Sequence, residues 1–307
     1  MNREPRRPVA VEEVAAFQRD GVVLLRGLLD EAWIQLLADA IERDIADPGP
    51  GFHGYASDDG GRFHGNFDLW RTGAEFARYC LSSPLPLLAA QLLGADTVHL
   101  FYDQLFVKEP GTTSPTPWHN DQPYWPIAGR QSVSFWVSLD HVTKDSGALE
   151  FIRGSHAWDR WFQPKTFAAG GYEYENNPSY EPVPDFEAER TDLDLAMWEM
   201  EPGDLLAFHG LTVHGAGGNL RTDRRRRGYT VRYTGDDVTY DPRRGTNPAL
   251  RHPEHPVDAP LDPRIYPVAH RHGGAWMSPI TGGRPGSGRG ARPIVSEAGV
   301  EGVNEAP

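Results

Sequence analysis

Apolar residues recur at helical spacing near the start of the chain. Val11, Val14, Ala15 and Phe17 share one side, and Glu12 and Glu13 fall in the first turn, which predicts a helix over residues 11–19. Gly21-Val22-Val23-Leu24-Leu25 then reads as a short buried strand. Asp30 is placed to cap a second helix with Ile34, Leu37, Ile41 and Ile45 on one face, ended by Pro48-Gly49-Pro50-Gly51. After a polar loop, a third helical stretch is predicted over about residues 74–93. From Val98 the period changes. β-rich runs at 98–108, 132–139, 148–152, 205–208 and 229–233 alternate with Gly, Pro and Asp turns, the pattern of a sandwich or barrel.

An irregular insert at about 163–195 interrupts these strands and is rich in Pro, Tyr and Glu. Long inserts of this kind usually cover binding sites. With Trp161, Phe162, Tyr172, Tyr174 and Tyr180 in or beside it, this one is expected to form a lid over a moderately apolar small molecule. Residues 273–307 are rich in Gly, Pro and Arg and are expected to form a flexible tail, leaving residues 1–272 as a single domain. No internal repeat is present.

Composition narrows the picture. The 307 residues are 39% apolar and 11% aromatic, enough to build a core. A net charge of -13 argues against nucleic acid or an anionic membrane as partner. No apolar run approaches the roughly 20 residues of a membrane span, and the N-terminus lacks the apolar core of a signal peptide. The single cysteine, Cys80, lies in an apolar stretch, so it reads as core filler and excludes an internal disulfide. These features make cytoplasmic the default location. Oligomeric state leaves no mark on the sequence.

The chemistry is concentrated in Trp118-His119-Asn120-Asp121 and, far downstream, Val213-His214-Gly215. Alternation along an extended segment would put His119 and Asp121 on one side. A third ligand from another strand would complete two histidines and one carboxylate, the set that holds one face of a ferrous ion and leaves the remaining positions open. His214 is the preferred third ligand, because its small neighbours Gly215, Ala216, Gly217 and Gly218 would let a cosubstrate approach. His209 is expected to be structural or supporting, and His252 and His255 are weaker candidates.

The segments around these residues resemble the phytanoyl-CoA dioxygenase family of iron- and 2-oxoglutarate-dependent oxygenases. The resemblance rests on Asp103-Gln104-Leu105-Phe106-Val107-Lys108-Glu109-Pro110, on Pro117-Trp118-His119-Asn120-Asp121-Gln122-Pro123-Tyr124-Trp125-Pro126 and on Ser134-Phe135-Trp136-Val137-Ser138-Leu139-Asp140. Gly147 to His156, Pro202-Gly203-Asp204 through His214 to Asn219, and the opening Asp20-Gly21-Val22-Val23-Leu24-Leu25-Arg26-Gly27 extend it over roughly residues 10–240. The resemblance implies a mainly β fold, a cupin-like double-stranded β-helix or jelly-roll, with N-terminal helices packed on one sheet. It implies Fe(2+) held by His119, Asp121 and His214, with 2-oxoglutarate and O2 as cosubstrates.

It also implies an arginine, downstream of the distal histidine, that grips the far carboxylate of 2-oxoglutarate through its planar fork. Counting eleven residues from His214 gives Arg225. Counting back from the next strand gives Arg226, which shares parity with Gly228, Thr230 and Arg232 and is preferred. Gln104 is expected to hydrogen-bond the cosubstrate and Trp136 to lie beside it. Ala216 replaces a serine common in the family, removing one polar contact. Tyr124 and Trp125 line the substrate side or pack in the core, and His156 is expected to be structural.

The implied reaction is hydroxylation of an unactivated C–H bond of a small organic metabolite, with release of succinate and CO2; desaturation and cyclisation belong to the same chemistry. Related halogenases give up the carboxylate ligand, so Asp121 favours oxygenation over halogenation. Two alternatives use the same residues: a zinc-dependent hydrolase or isomerase, and a non-catalytic jelly-roll binder. An acyl-CoA substrate would need a basic cluster around its phosphates, which is missing outside Arg224-Arg225-Arg226-Arg227.

Overall fold

The computed structural model describes residues 1–56, 61–165 and 173–273; Tyr172 and the predicted tail from residue 274 lie outside them. The chain forms α1 (Val11–Asp20), β1 (Val22–Leu25), α2 (Glu31–Ala46), β2 (His53–Ala56), β3 (Arg62–Phe67), α3 (Ala74–Ser82) and α4 (Leu85–Leu93). It continues through β4 (Thr97–Lys108), β5 (Thr116–His119), β6 (Ile127–Ala128), β7 (Ser132–Ser138), β8 (Leu149–Ile152) and β9 (Leu195–Met197). The last strands are β10 (Leu205–His209), β11 (His214–Ala216), β12 (Arg226–Thr234), β13 (Thr239–Tyr240) and β14 (Val268–Arg271).

Apart from the small β13-β6 pair, the strands build two facing antiparallel sheets. The larger runs β1-β10-β7-β12-β4-β3-β2, with β14 also on β4, and the smaller runs β5-β11-β8-β9. This is the double-stranded β-helix. Alternation along the larger sheet separates two environments. Leu105 and Val107 of β4, Val133, Phe135 and Val137 of β7, and Tyr229, Val231 and Tyr233 of β12 join one buried cluster with Phe17, Trp33, Leu37, Ile41, Phe76, Leu88 and Cys80 from the helical side. At roughly 1.5–3 kcal/mol per large apolar side chain, that face carries much of the stability. The alternate residues face the smaller sheet and line the site.

Three local expectations change. The stretch at 74–93 is two helices, because Pro84 cannot continue the first. Asp30 sits at the start of α2 without a side-chain capping bond; its carboxylate instead lies 3.6 Å from the N-terminal amine. The polar loop after α2 contains the hairpin β2–β3, which extends the larger sheet at its edge. Cys80 is fully buried in the core, as expected. Among the described residues, no helix is long and apolar enough to cross a membrane.

Candidate metal centre and its pocket

His119 ends β5 and His214 begins β11, and the two are directly paired across those strands. Their rings lie 4.3 Å apart. Asp121 does not follow the strand. Its backbone is helical, opening a short turn over Gln122–Tyr124, and its amide donates to the Gly210 carbonyl at 2.9 Å. The pair therefore converges because the chain turns after His119, not because an extended segment alternates. One donor atom from each of His119, Asp121 and His214 lies within 4.8 Å of the others, and all three residues are buried.

Each histidine directs its Nδ1 to the carbonyl two residues earlier, His119 to Pro117 at 2.8 Å and His214 to Thr212 at 3.0 Å. That arrangement places the proton on Nδ1 and turns the Nε2 lone pair toward the centre, the usual support for a metal-binding imidazole. The Nε2 atoms of His119 and His214 lie 3.4 and 4.0 Å from Asp121 Oδ1. Phe151 stacks on the His214 ring and Phe208 packs at 4.8 Å. Burial, reinforced by His119, pushes the His214 imidazole down to about 4, so it is neutral and ready to bind a cation. Burial also opposes charge on Asp121, but Arg232 and the two histidines outweigh it and hold the carboxyl well below its ordinary range. Two imidazole nitrogens and one carboxylate oxygen, buried and convergent, suit a divalent transition metal.

The centre opens into a cavity of about 340 Å³ lined by His119, Asp121, His214, Gln104, Trp136 and Arg226 together. The register of β12 explains the meeting. Thr230 lies between Gln104 and Trp136, and Arg226 lies beside Lys108. Gly228 is required here: a Cβ at that position would sit 2.3 Å from the Trp136 indole, which crosses the strand. Trp136 in turn carries the Arg226 guanidinium 5.5 Å above its ring.

Arg226 is 3% exposed and its Nε has no hydrogen-bond partner. Burial pushes it down to about 10, with Asp140 partly opposing. Arg225 faces the other way and pairs with Glu42 at 2.9 Å and Glu109 at 3.2 Å. Arg227 pairs with Asp140 at 2.7 Å and Glu42 at 2.9 Å, and Arg224 pairs with Asp223 at 2.8 Å. Within the arginine run only Arg226 lines the cavity.

His209 binds the Arg130 carbonyl at 2.6 Å and His156 approaches the Gln18 carbonyl at 3.2 Å; neither joins the centre. Nor do His252 and His255. Trp125 is a core residue, fully buried and bonded to the Tyr102 hydroxyl at 2.8 Å. Tyr124 lines the cavity and its hydroxyl donates to Asp121 Oδ1. Of the small residues after His214, none is among those lining the cavity. A Cβ on Gly218 would meet the Thr113 carbonyl oxygen at 2.3 Å, so it allows close backbone packing.

The sequence reading missed two cavity cations. Arg232 lies 3.6 Å from Asp121 Oδ2; its parity with Arg226 was the available signal. Lys108 is 2% exposed, binds the Gly217 carbonyl at 2.7 Å and the Ser114 carbonyl at 3.2 Å, and is pushed down to about 6 by burial and Arg226.

A jelly-roll with a two-histidine, one-carboxylate centre lining its cavity defines a class of metal-dependent oxygenase folds. Residues 17–228 match the family described as phytanoyl-CoA dioxygenase (PhyH), and the chain belongs to that family. It is thus a dioxygenase of the iron- and 2-oxoglutarate-dependent class. Peroxisomal phytanoyl-CoA dioxygenase of Rattus norvegicus is 23% identical over 255 residues, covering 78% of this chain and 72% of that protein. Dioxygenase AneA of Aspergillus aculeatus is 27% identical over 256 residues, covering 76% of each. The solved structure of the non-heme alpha-ketoglutarate-dependent carbocyclase SnoK from nogalamycin biosynthesis superposes with a TM-score of 0.70 at 21% identity, covering 87% of this chain and 99% of that one.

Proposed function

We propose that His119, Asp121 and His214 hold ferrous iron, that Arg226 takes the far carboxylate of 2-oxoglutarate, and that the enzyme hydroxylates an unactivated C–H bond of a small, largely apolar molecule. The observation that carries this reading is the Arg226 guanidinium, buried with an unpartnered Nε in the same cavity as the three ligands. A buried cation lacking an anion is costly, and a carboxylate supplies the fork-matched partner. Iron with bound 2-oxoglutarate would supply the activation of dioxygen, with succinate and CO2 released.

The chain's own groups orient and enclose. Arg226 makes one end of the cavity cationic, with the Lys108 amine beside it, and Trp136 packs against the Arg226 guanidinium. Gln104 and Thr230 place polar groups beside that end. Phe208 and Phe151 pack against the His214 ring and fix its orientation. Phe52, Phe63, Phe67, Tyr174 and Leu250 give the same cavity an apolar wall. That wall favours a neutral ring or hydrocarbon over an acyl-CoA. Tyr174 belongs to the predicted insert and packs at a tilt against Tyr124, ring centroids 5.8 Å apart, which supports the insert as part of the lid. Residues 1–272 are assigned as the catalytic unit. A zinc hydrolase on the same ligands would leave Arg226 and Lys108 with no anion to bind.

The test is succinate release across neutral candidate substrates, with ferrous iron, 2-oxoglutarate and oxygen each omitted in turn. Turnover should stop with each omission. Turnover by zinc-loaded protein under strict anaerobiosis would overturn the assignment.

A further inference from the structure

The two oxygens of Asp121 face different partners. Oδ1 points to the Nε2 atoms of His119 and His214, at 3.4 and 4.0 Å, and also accepts the Tyr124 hydroxyl. A second lone pair on Oδ1 remains for a metal. Oδ2 is turned away from both histidines, has no hydrogen-bond partner, and lies 3.6 Å from Nε of Arg232.

Arg232 is 3% exposed, and its Nε and one terminal nitrogen, Nη1, lack hydrogen-bond partners. What holds it is stacking. Its guanidinium lies 4.3 Å over the Tyr102 ring and 5.8 Å from the Trp125 ring, while Tyr102 is itself bonded by the Trp125 indole. The plane of the fork is thus set by two aromatic residues of the core. A purely structural arginine would satisfy its donors on carbonyls, as Arg243 does on Ile127 and Gln122. Arg232 keeps buried donors beside one carboxylate oxygen.

We propose that Arg232 is a positioning residue that ties down Oδ2 so that Asp121 binds the metal through Oδ1 alone. This rests on the metal reading above. The consequence is a count of sites. A six-coordinate ion held by two nitrogens and one oxygen keeps three open positions, enough for a two-oxygen chelate and dioxygen. A carboxylate bound through both oxygens leaves two, and the chelate and dioxygen then compete. Lysine cannot replace the arginine fully, because a point charge neither stacks on Tyr102 in this way nor presents a planar edge.

The direct test is a crystal structure of the wild-type protein loaded with Co2+. The expected result is one Asp121 oxygen on the metal and Arg232 within hydrogen-bond distance of the other. Two Asp121 oxygens on the metal, or an Arg232 turned away, would overturn the proposal while leaving the metal site intact. No Co2+ uptake at all would overturn the metal reading itself.

A solution test uses Arg232→Met and Arg232→Lys, titrated first with Co2+ and then with 2-oxoglutarate and read by visible spectroscopy. Folded Arg232→Met should lose about 10- to 100-fold in Co2+ affinity, the range expected for an outer-shell partner, and, once saturated with Co2+, should bind 2-oxoglutarate more weakly than wild type. Arg232→Lys should recover part of that loss. Wild-type 2-oxoglutarate affinity in folded Arg232→Met would contradict the proposal. If Arg232→Met does not fold, the Co2+ structure decides.

Discussion

Asp103 and Asp121 are both buried carboxylates, and the larger sheet holds them to opposite fates. Asp103 points to the helical face, where it accepts from the Tyr229 hydroxyl and from the Trp70 amide at 3.0 Å. No cation is among the influences on it, so burial pushes its carboxyl up to about 7. Asp121 faces the cavity, where Arg232 and two histidines outweigh burial and keep it ionised. Equal burial thus yields a carboxyl poised to be neutral on one side and a permanent anion on the other. The difference lies in whether the fold supplies positive charge, and at Asp121 it does so around a space sized for an ion.

Replacing each carboxylate should break the comparison most sharply. Asp121→Ala should lose metal affinity by more than the roughly 10- to 100-fold expected of an outer partner, and lose turnover with it. Asp103→Asn should retain metal binding within about 3-fold, because it touches none of the ligands. Metal titration and succinate assays read both. Equal losses in the two variants would show that burial, not the charge pattern, is what matters.

The second contrast is between adjacent arginines. Truncating one partner of a buried charged pair costs about 2–5 kcal/mol, so Arg226→Ala should raise the KM for 2-oxoglutarate roughly 30-fold or more. Arg225→Ala removes an exposed pair with Glu42 and a half-buried one with Glu109, both outside the cavity, and should change it less than about 3-fold. Reversal of these two effects would move the anchor to Arg225.

The third concerns stability and pH. The folded pKa of Asp103 lies above its unfolded value, so its favourable contribution is present at low pH and is lost as pH rises toward about 7. Between pH 5 and 8, wild-type stability relative to Asp103→Asn should therefore fall by about 2–3 kcal/mol, read from urea midpoints. A difference that does not vary with pH would contradict a neutral buried Asp103.

The smallest expected effect is a proton count. Burial and Arg226 push Lys108 down to about 6; a carboxylate arriving beside it should raise that value. Binding of 2-oxoglutarate near pH 7.5 should then take up a fraction of a proton, at most one, measurable as a buffer dependence of the calorimetric heat. Heat independent of buffer would place the carboxylate away from Lys108.

These residues differ in how legible they were. The candidate ligands His119, Asp121 and His214 were legible from the family-like segments around them, because a His-x-Asp pair alone is common by chance in a chain with 12 histidines. The geometry behind it was not, since the turn at Asp121 depends on the Gly210 carbonyl far along the chain. Strand parity separated Arg226 from Arg225, and the same parity included Arg232 without revealing its role. That role needs the third dimension, where Tyr102 and Trp125 fix the guanidinium. The hairpin β2–β3 was hidden because its edge strands carry His, Gly and Asn, not an apolar run. Pro84 did mark the break between α3 and α4, but the apolar character on both sides masked it. The buried faces of β4, β7 and β12 were legible as strands from the start.

The central claim is that one cavity holds iron and 2-oxoglutarate together on these residues. Its most direct test is an anaerobic titration of the ferrous protein with 2-oxoglutarate, followed by visible absorption. A charge-transfer band should grow to saturation at one equivalent, fail to form in Asp121→Ala, and require much higher concentrations in Arg226→Ala. Ferrous protein that binds its metal but develops no band, or an Arg226→Ala titration superimposable on wild type, would contradict it.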